Sequence, residues 1–230
     1  MSDARLSYAA QCCPAENLDR YGLSPAILTL LEQALPDERE TLKDQHTNRK
    51  FRYDLFCHGL PQSSLFSTAD FLLDLRFVLI DRSKFANGTF TTPLGTIQLK
   101  PLSYEPILDR LESGPATGRE LSQRIAQQDL SLNQLTELLS ILIDVQAIDV
   151  ALPIADLDLR RFRAHLLNER LMGWSMKGQD VGFLLSPVSG GGHRVIDVYQ
   201  FFAMAAVHQG DPVAFAWEIL QQMGRRLKSG

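Results

Sequence analysis

Two helix-start signals, at Thr117 and Ser131, constrain this chain more than anything else in it. Thr117 is followed three residues later by Glu120, the pattern in which each side chain satisfies an orphan backbone N–H, so a helix should run through Leu121 and Ile125. Ser131 repeats the device ahead of Leu135, Leu138, Leu139 and Leu142, an apolar row at helical spacing. Leu138 then faces a core, and Glu137 faces solvent and should be dispensable for stability. Upstream, Ser103 and Tyr104 lead into a helix from Pro106, with Ile107, Leu108 and Leu111 on one face and Gly114-Pro115 as its stop. Downstream, Ala147 to Leu152 reads as a short strand ended by Pro153.

Three helices and a strand over residues 101–153 read as a winged-helix-like unit. Such units often bind DNA through the third helix, which makes a DNA-binding transcription regulator the rival functional reading. That helix lacks the chemistry for it. Between Ser131 and Asp144 there is no Lys or Arg, and the charged positions are Glu137 and Asp144. Phosphate contacts need cations and supply most of the affinity. A packing and protein-contact module is the better expectation.

The whole chain points the same way. Its net charge of −4 argues against a general affinity for nucleic acid or anionic lipid. With 45% hydrophobic residues in a chain of 230, a sizeable core is expected. Cys12, Cys13 and Cys57 form no C-x-x-C spacing, so neither a disulfide framework nor a zinc ribbon is indicated. No stretch has signal-peptide character or approaches the roughly 20 apolar residues that span a bilayer, so a soluble, cytoplasmic protein without membrane contact is expected.

Residues 1–100 read as an α+β part with a small, mainly antiparallel sheet. Tyr8-Ala9-Ala10 suggests a strand, and Ser24-Pro25 starts a helix with a capping hydroxyl and Ile27, Leu28, Leu31 and Leu35 on its apolar face. A charged, mostly solvated helix follows from Asp37 to about Lys50. Tyr53 to His58 and Phe71 to Ile80 alternate as strands, and Thr89 to Leu99 forms a hairpin around Pro93-Leu94-Gly95. Residues 154–230 read as a helical part. It starts with a basic helix from Asp156 to Met172, in which Leu159, Phe162, Leu166 and Leu167 face the core and Arg160, Arg161, Arg163 and Arg170 face solvent. A short strand at Val181–Leu185, a glycine loop, an apolar helix from Val195 to Val207 and a last helix capped by Asp211 complete it.

No constellation indicates a catalytic, cofactor or metal site. The loop Ser189-Gly190-Gly191-Gly192-His193-Arg194 leads towards a helix, where glycine N–H groups can hold anions, yet it matches no phosphate-binding motif and reads as a turn. The five histidines are scattered singly. Cys57 and His58 are neighbours in a strand, so their side chains should diverge, leaving Cys57 as a core residue. Trp217 reads as core or interdomain packing.

Two stretches carry more than periodicity. Asn48-Arg49-Lys50-Phe51-Arg52-Tyr53-Asp54-Leu55-Phe56-Cys57 resembles the Asn-Arg-x-Phe-Arg-x-x-Leu-x-Cys segment of the methyltransferase regulatory domain family. Ser186-Pro187-Val188 with Gly190-Gly191, Asp211 to Leu220, and Gly224-Arg225-Arg226-Leu227 resemble the C-terminal region of the same bacterial proteins. In that family this region follows a class I S-adenosylmethionine-dependent catalytic domain, protein-lysine methyltransferases included, and is itself non-catalytic. The resemblance implies a regulatory or substrate-docking role without a cofactor, partnering a methyltransferase domain in cis or in trans, and a protein substrate. The acidic-glycine cofactor loop D/E-x-G-x-G is absent, and the start of the regulatory domain is short. The chain therefore reads as either a stand-alone accessory protein or a region of a longer enzyme. Arg49, Lys50, Phe51, Arg52 and Tyr53 group cations with aromatics as interfaces do, and are the expected partner-binding residues.

Overall fold

The computed structural model describes residues 5–35, 38–59, 65–93, 95–207 and 211–224. The fold is α+β with small antiparallel sheets, and it divides into two compact units, residues 1–150 and 151–230. Each is described by itself.

In the first unit, β1 (Leu6–Gln11) pairs antiparallel with β2 (Asp54–His58), and the register slips by one residue between Tyr8 and Ala10. Tyr8 and Phe56 meet edge to face across this pair at 5.9 Å. Between the strands run a 3-10 turn (Pro14–Asn17), α1 (Asp19–Gly22), α2 (Pro25–Gln33) and α3 (Arg39–Thr47). Pro25 opens α2 as expected, but the Ser24 hydroxyl makes no capping bond.

The stretch expected as one strand from Phe71 to Ile80 is two elements, α4 (Leu65–Asp74) and β3 (Arg76–Leu79). The run is apolar at almost every position and satisfies both periods. Helical spacing prevails, because Leu72 and Leu75, three apart, both pack on the core. The hairpin forms as expected from β4 (Thr89–Thr92) and β5 (Gly95–Gln98), with Thr89 opposite Gln98; Leu94 of its turn lies outside the described residues.

The stretch with the two helix-start signals folds as α5 (Pro101–Glu112), β6 (Ala116–Thr117), α6 (Gly118–Ala126), α7 (Leu132–Asp144) and β7 (Ile148–Ala151). Helix α5 begins at Pro101 rather than Pro106, which lies inside it. Both capping boxes are made, Thr117 with Glu120 and Ser131 with Gln134. The sheet here has the order β6-β3-β7, so its central strand comes from before the three helices. Ile107, Leu111, Leu121, Ile125, Leu135, Leu139 and Leu142 share one core with Phe77, Phe85 and Phe90. Glu137, expected to be free, takes an ion pair from Arg20 and accepts from the Tyr21 hydroxyl at 3.4 Å.

The second unit consists of α8 (Leu157–Met176), the hairpin β8 (Phe183–Leu185) and β9 (Gly192–Arg194), α9 (Asp197–Val207) and α10 (Pro212–Gln222). Its core gathers Phe201, Ala216 and Leu220. Asn168 fixes α8 to β8, donating to the Leu185 carbonyl at 2.9 Å and accepting from its N–H at 2.7 Å. Asp211 caps α10 by accepting from Val213 and Ala214. The apolar face of α8 differs from that expected: Leu159, Phe162, Leu166 and Leu167 are exposed, while Ala164, Met172 and Ser175 are buried; Arg161, Arg163 and Arg170 are exposed as expected. The helix has apolar residues all round, and the tie through Asn168 selects the side that turns inward.

Two predictions test these local arguments. Helix propensity alone would have Gly118→Ala stabilise α6 by up to about 1 kcal/mol. A Cβ there would instead stand 2.2 Å from the Leu72 carbonyl oxygen and 3.0 Å from Leu73 Cα, backbone that cannot yield. The variant should therefore melt lower, by the about 1–3 kcal/mol typical of overpacking, and an unchanged or raised melting temperature would refute the close approach.

The Glu120 carboxyl is held at about 2, below its ordinary 4.5, by the Thr117 N–H, then by Arg110 and the Thr117 hydroxyl. A lowered folded-state value means stability that is complete above about 4.5 and lost as pH falls towards 2. Glu120→Ala should cost about 1 kcal/mol at neutral pH, and this difference from the parent should shrink steadily in acid denaturation curves taken below about pH 4.5.

Candidate functional site

The site is built on the end of α3. Asn48 closes that helix in the left-handed conformation, φ 49°, a role asparagine tolerates well, and its N–H and that of Arg49 return to Gln45 and Asp44. From Phe51 into β2 exposure alternates residue by residue, with Phe51, Tyr53 and Leu55 exposed and Arg52, Asp54 and Phe56 partly buried. Arg49, just after the helix cap, is partly buried as well.

Arg52 meets three carboxylates: Glu40 at 3.1 Å, Asp44 at 3.2 Å and Asp54 at 2.8 Å. Its guanidinium also lies 5.8 Å from the Tyr8 ring centre. Arg49 bonds the Gln11 side chain and pairs with Glu16 at 3.0 Å. Lys43 completes the array, 2.8 Å from both Asp19 and Glu40. Burial works against the Glu40 charge, but hydrogen bonds from Lys43, Tyr8 and Gln11 hold its carboxyl below the usual range. Burial and Glu40 together push the Tyr8 phenol up.

Of the five expected partner-binding residues, Arg49 and Arg52 are thus engaged by the protein's own carboxylates. Lys50, Phe51 and Tyr53 are exposed, the two aromatics at 88% and 77%, and Leu55 continues their row on β2. Alternation from Phe51 on puts Arg52 on the side opposite to Phe51 and Tyr53, while Arg49 and Lys50 lie before it.

Beside the array lies a small cleft of about 80 Å³, open to solvent. The first 50 residues supply most of its lining, including Gln11, Glu16, Leu18, Leu23, Lys43 and Arg49; the β4–β5 hairpin adds Phe90 to Pro93, and α7 adds its last residue, Asp144. Burial, then the nearby Glu16 charge, pushes the Asp144 carboxyl up, opposed by a bond with the Cys13 thiol. The sequence reading passed over this cleft, since its walls are far apart in the chain. One signal was present in the sequence: an acid closing a helix at its negative end.

The remaining candidates stay apart. Cys57 is half-buried and His58 exposed. The loop 186–191 joins β8 to β9 within a hairpin instead of opening a helix, and its Ser189 hydroxyl lies 2.6 Å from His193 Nε2. Trp217 is partly exposed on α10. Among the described residues, no cluster of three or more His, Cys, Asp or Glu is placed to hold a metal ion, and no helix is long and apolar enough to cross a membrane.

Comparison with known proteins bears on the segment that carries the arginine array. Residues 1–58 match the family model of the predicted methyltransferase regulatory domain. The matched segment ends at His58, the last residue of β2, and so contains β1, α3 and the exposed aromatic row. Along 99% of its length the chain is also 28% identical to an uncharacterized protein of Synechocystis sp.. It spans 45% of that protein, about half its length. No solved structure matches.

The array and the aromatics should respond differently to removal. Arg52→Ala removes the cation from Asp44 and Asp54 and one of two from Glu40, and should cost about 2 kcal/mol or more, whereas Phe51→Ala and Tyr53→Ala should stay within about 0.5 kcal/mol of the parent in urea unfolding. Equal losses at all three positions would show that the matched segment buries its aromatics.

Proposed function

We propose that this chain is a non-catalytic regulatory or substrate-docking module of an S-adenosylmethionine-dependent methyltransferase, acting through protein–protein contacts. The observation that carries the reading is the outward aromatic row, Phe51 and Tyr53, within the segment that matches the regulatory-domain family. Solvent exposure of two adjacent large aromatics has no folding rationale, and aromatics in such positions are the usual anchors of protein interfaces. Lys50 beside them adds a free-standing cation at the rim, and Arg49 and Arg52 keep the segment extended so that the row stays presented. The partner that fits is the methyltransferase domain, in the same polypeptide or as a separate chain.

Isothermal calorimetry checks this, with the full chain titrated into an S-adenosylmethionine-dependent catalytic domain from the same organism. Phe51→Asp combined with Tyr53→Asp should weaken binding about tenfold or more with little change in melting temperature. The chain alone should take up no S-adenosylmethionine. Tight cofactor binding by the isolated chain, or full affinity in the double variant, would overturn the reading.

A further inference from the structure

The cleft beside the arginine array is not needed for docking, and its charges do not balance. Glu16, Asp19, Asp44 and Asp144 line it against Lys43 and Arg49. Lys43 is committed to Asp19 and Glu40, Arg49 to Glu16, and Arg52 takes Asp44 from the side. Asp144 alone of these carboxylates has no cation within ion-pair distance among the described residues, and its bond is with the Cys13 thiol.

Three separate effects make a charge at Asp144 unfavourable in the free protein. It is half-buried, it faces Glu16, and it is the last residue of α7, where the helix dipole presents its negative end. An asparagine of the same shape would avoid all three. Residues that break local rules and lack an ion-pair partner within the fold are expected at functional or strained sites. The same cleft has apolar lining in Leu18, Leu23 and Phe90. A concave site that combines apolar lining with a few converging polar groups is the usual form of a small-ligand pocket.

We propose that the cleft binds an organic cation, an ammonium or guanidinium on an aliphatic stem, with the charge at Asp144 and the stem along Leu18, Leu23 and Phe90. This goes beyond the regulatory reading and does not depend on it. A free amine or the Lys or Arg side chain of a peptide would supply the same chemistry.

The test is an NMR titration of the full chain with n-butylammonium, n-butylguanidinium and the blocked peptide acetyl-Gly-Lys-Gly-amide at constant ionic strength, with n-butanol as the uncharged control. Saturable shifts around Asp144 and Phe90 are expected, with a dissociation constant below about 10 mM for the cations and at least about tenfold weaker binding for butanol. Asp144→Asn should lose about tenfold or more in affinity while melting at or above the parent temperature, the opposite of what a structural acid would do. Thr91→Trp, which crowds the cleft and leaves every charge in place, should also lose binding. Binding of the small cations but not the peptide assigns a free amine as the ligand; binding of both assigns a side chain. Failure of every cation to saturate, full affinity in Asp144→Asn, or a marked fall in its melting temperature would overturn the proposal.

Discussion

The Arg52 guanidinium, set among Glu40, Asp44 and Asp54, is the interaction on which the packing of α3 against the β1–β2 ribbon depends. Helix α3 has almost no apolar residues, so hydrophobic burial cannot hold it against the β1–β2 ribbon. Charge does so instead. Arg52 bridges α3 to β2, Lys43 bridges it to Asp19, and Arg49 draws in Glu16. With Arg52 and Asp54 held inward in this way, alternation along the chain from Phe51 leaves Phe51, Tyr53 and Leu55 facing out.

How much of this could be read from the sequence depended on the range of the interaction. Both capping boxes, the hairpin at Thr89–Gln98 and the Asp211 cap are local chemistry, and they stand where their residues placed them. The left-handed cap at Asn48 is equally local and gives one residue of the family motif a purely structural job. Where apolar residues surround an element, pattern lost its power. The 71–80 run fits two periods, and α8 could bury either side until Asn168 and Leu185 selected one. The arginines at 49 and 52 were legible as a cluster, but their partners lie on α3 and in the turn before α1, a pairing that sequence order does not reveal. The cleft was illegible for the same reason, since it closes only when α7 meets the first 50 residues.

The two functional proposals rest on opposite kinds of anomaly. At Phe51 and Tyr53 an apolar surface lies where water is. At Asp144 an acid lies half-buried where the neighbouring field is negative. Each is unfavourable in isolation, and each becomes favourable when a partner of complementary character arrives. The exposed aromatics lie outside the main core, whereas the cleft borders it through Phe90.

The position of β3 at the centre of the β6-β3-β7 sheet has a consequence for how the chain comes into being. A ribosome releases β3 first and its two sheet neighbours only after α5, and in one case after all three helices. Until Ile148 has emerged, Phe77 has an unpaired strand edge on at least one side. The early part of the first unit must therefore remain open during synthesis, with its most apolar strand unprotected, and closure comes late by long-range pairing, which is the slow kind.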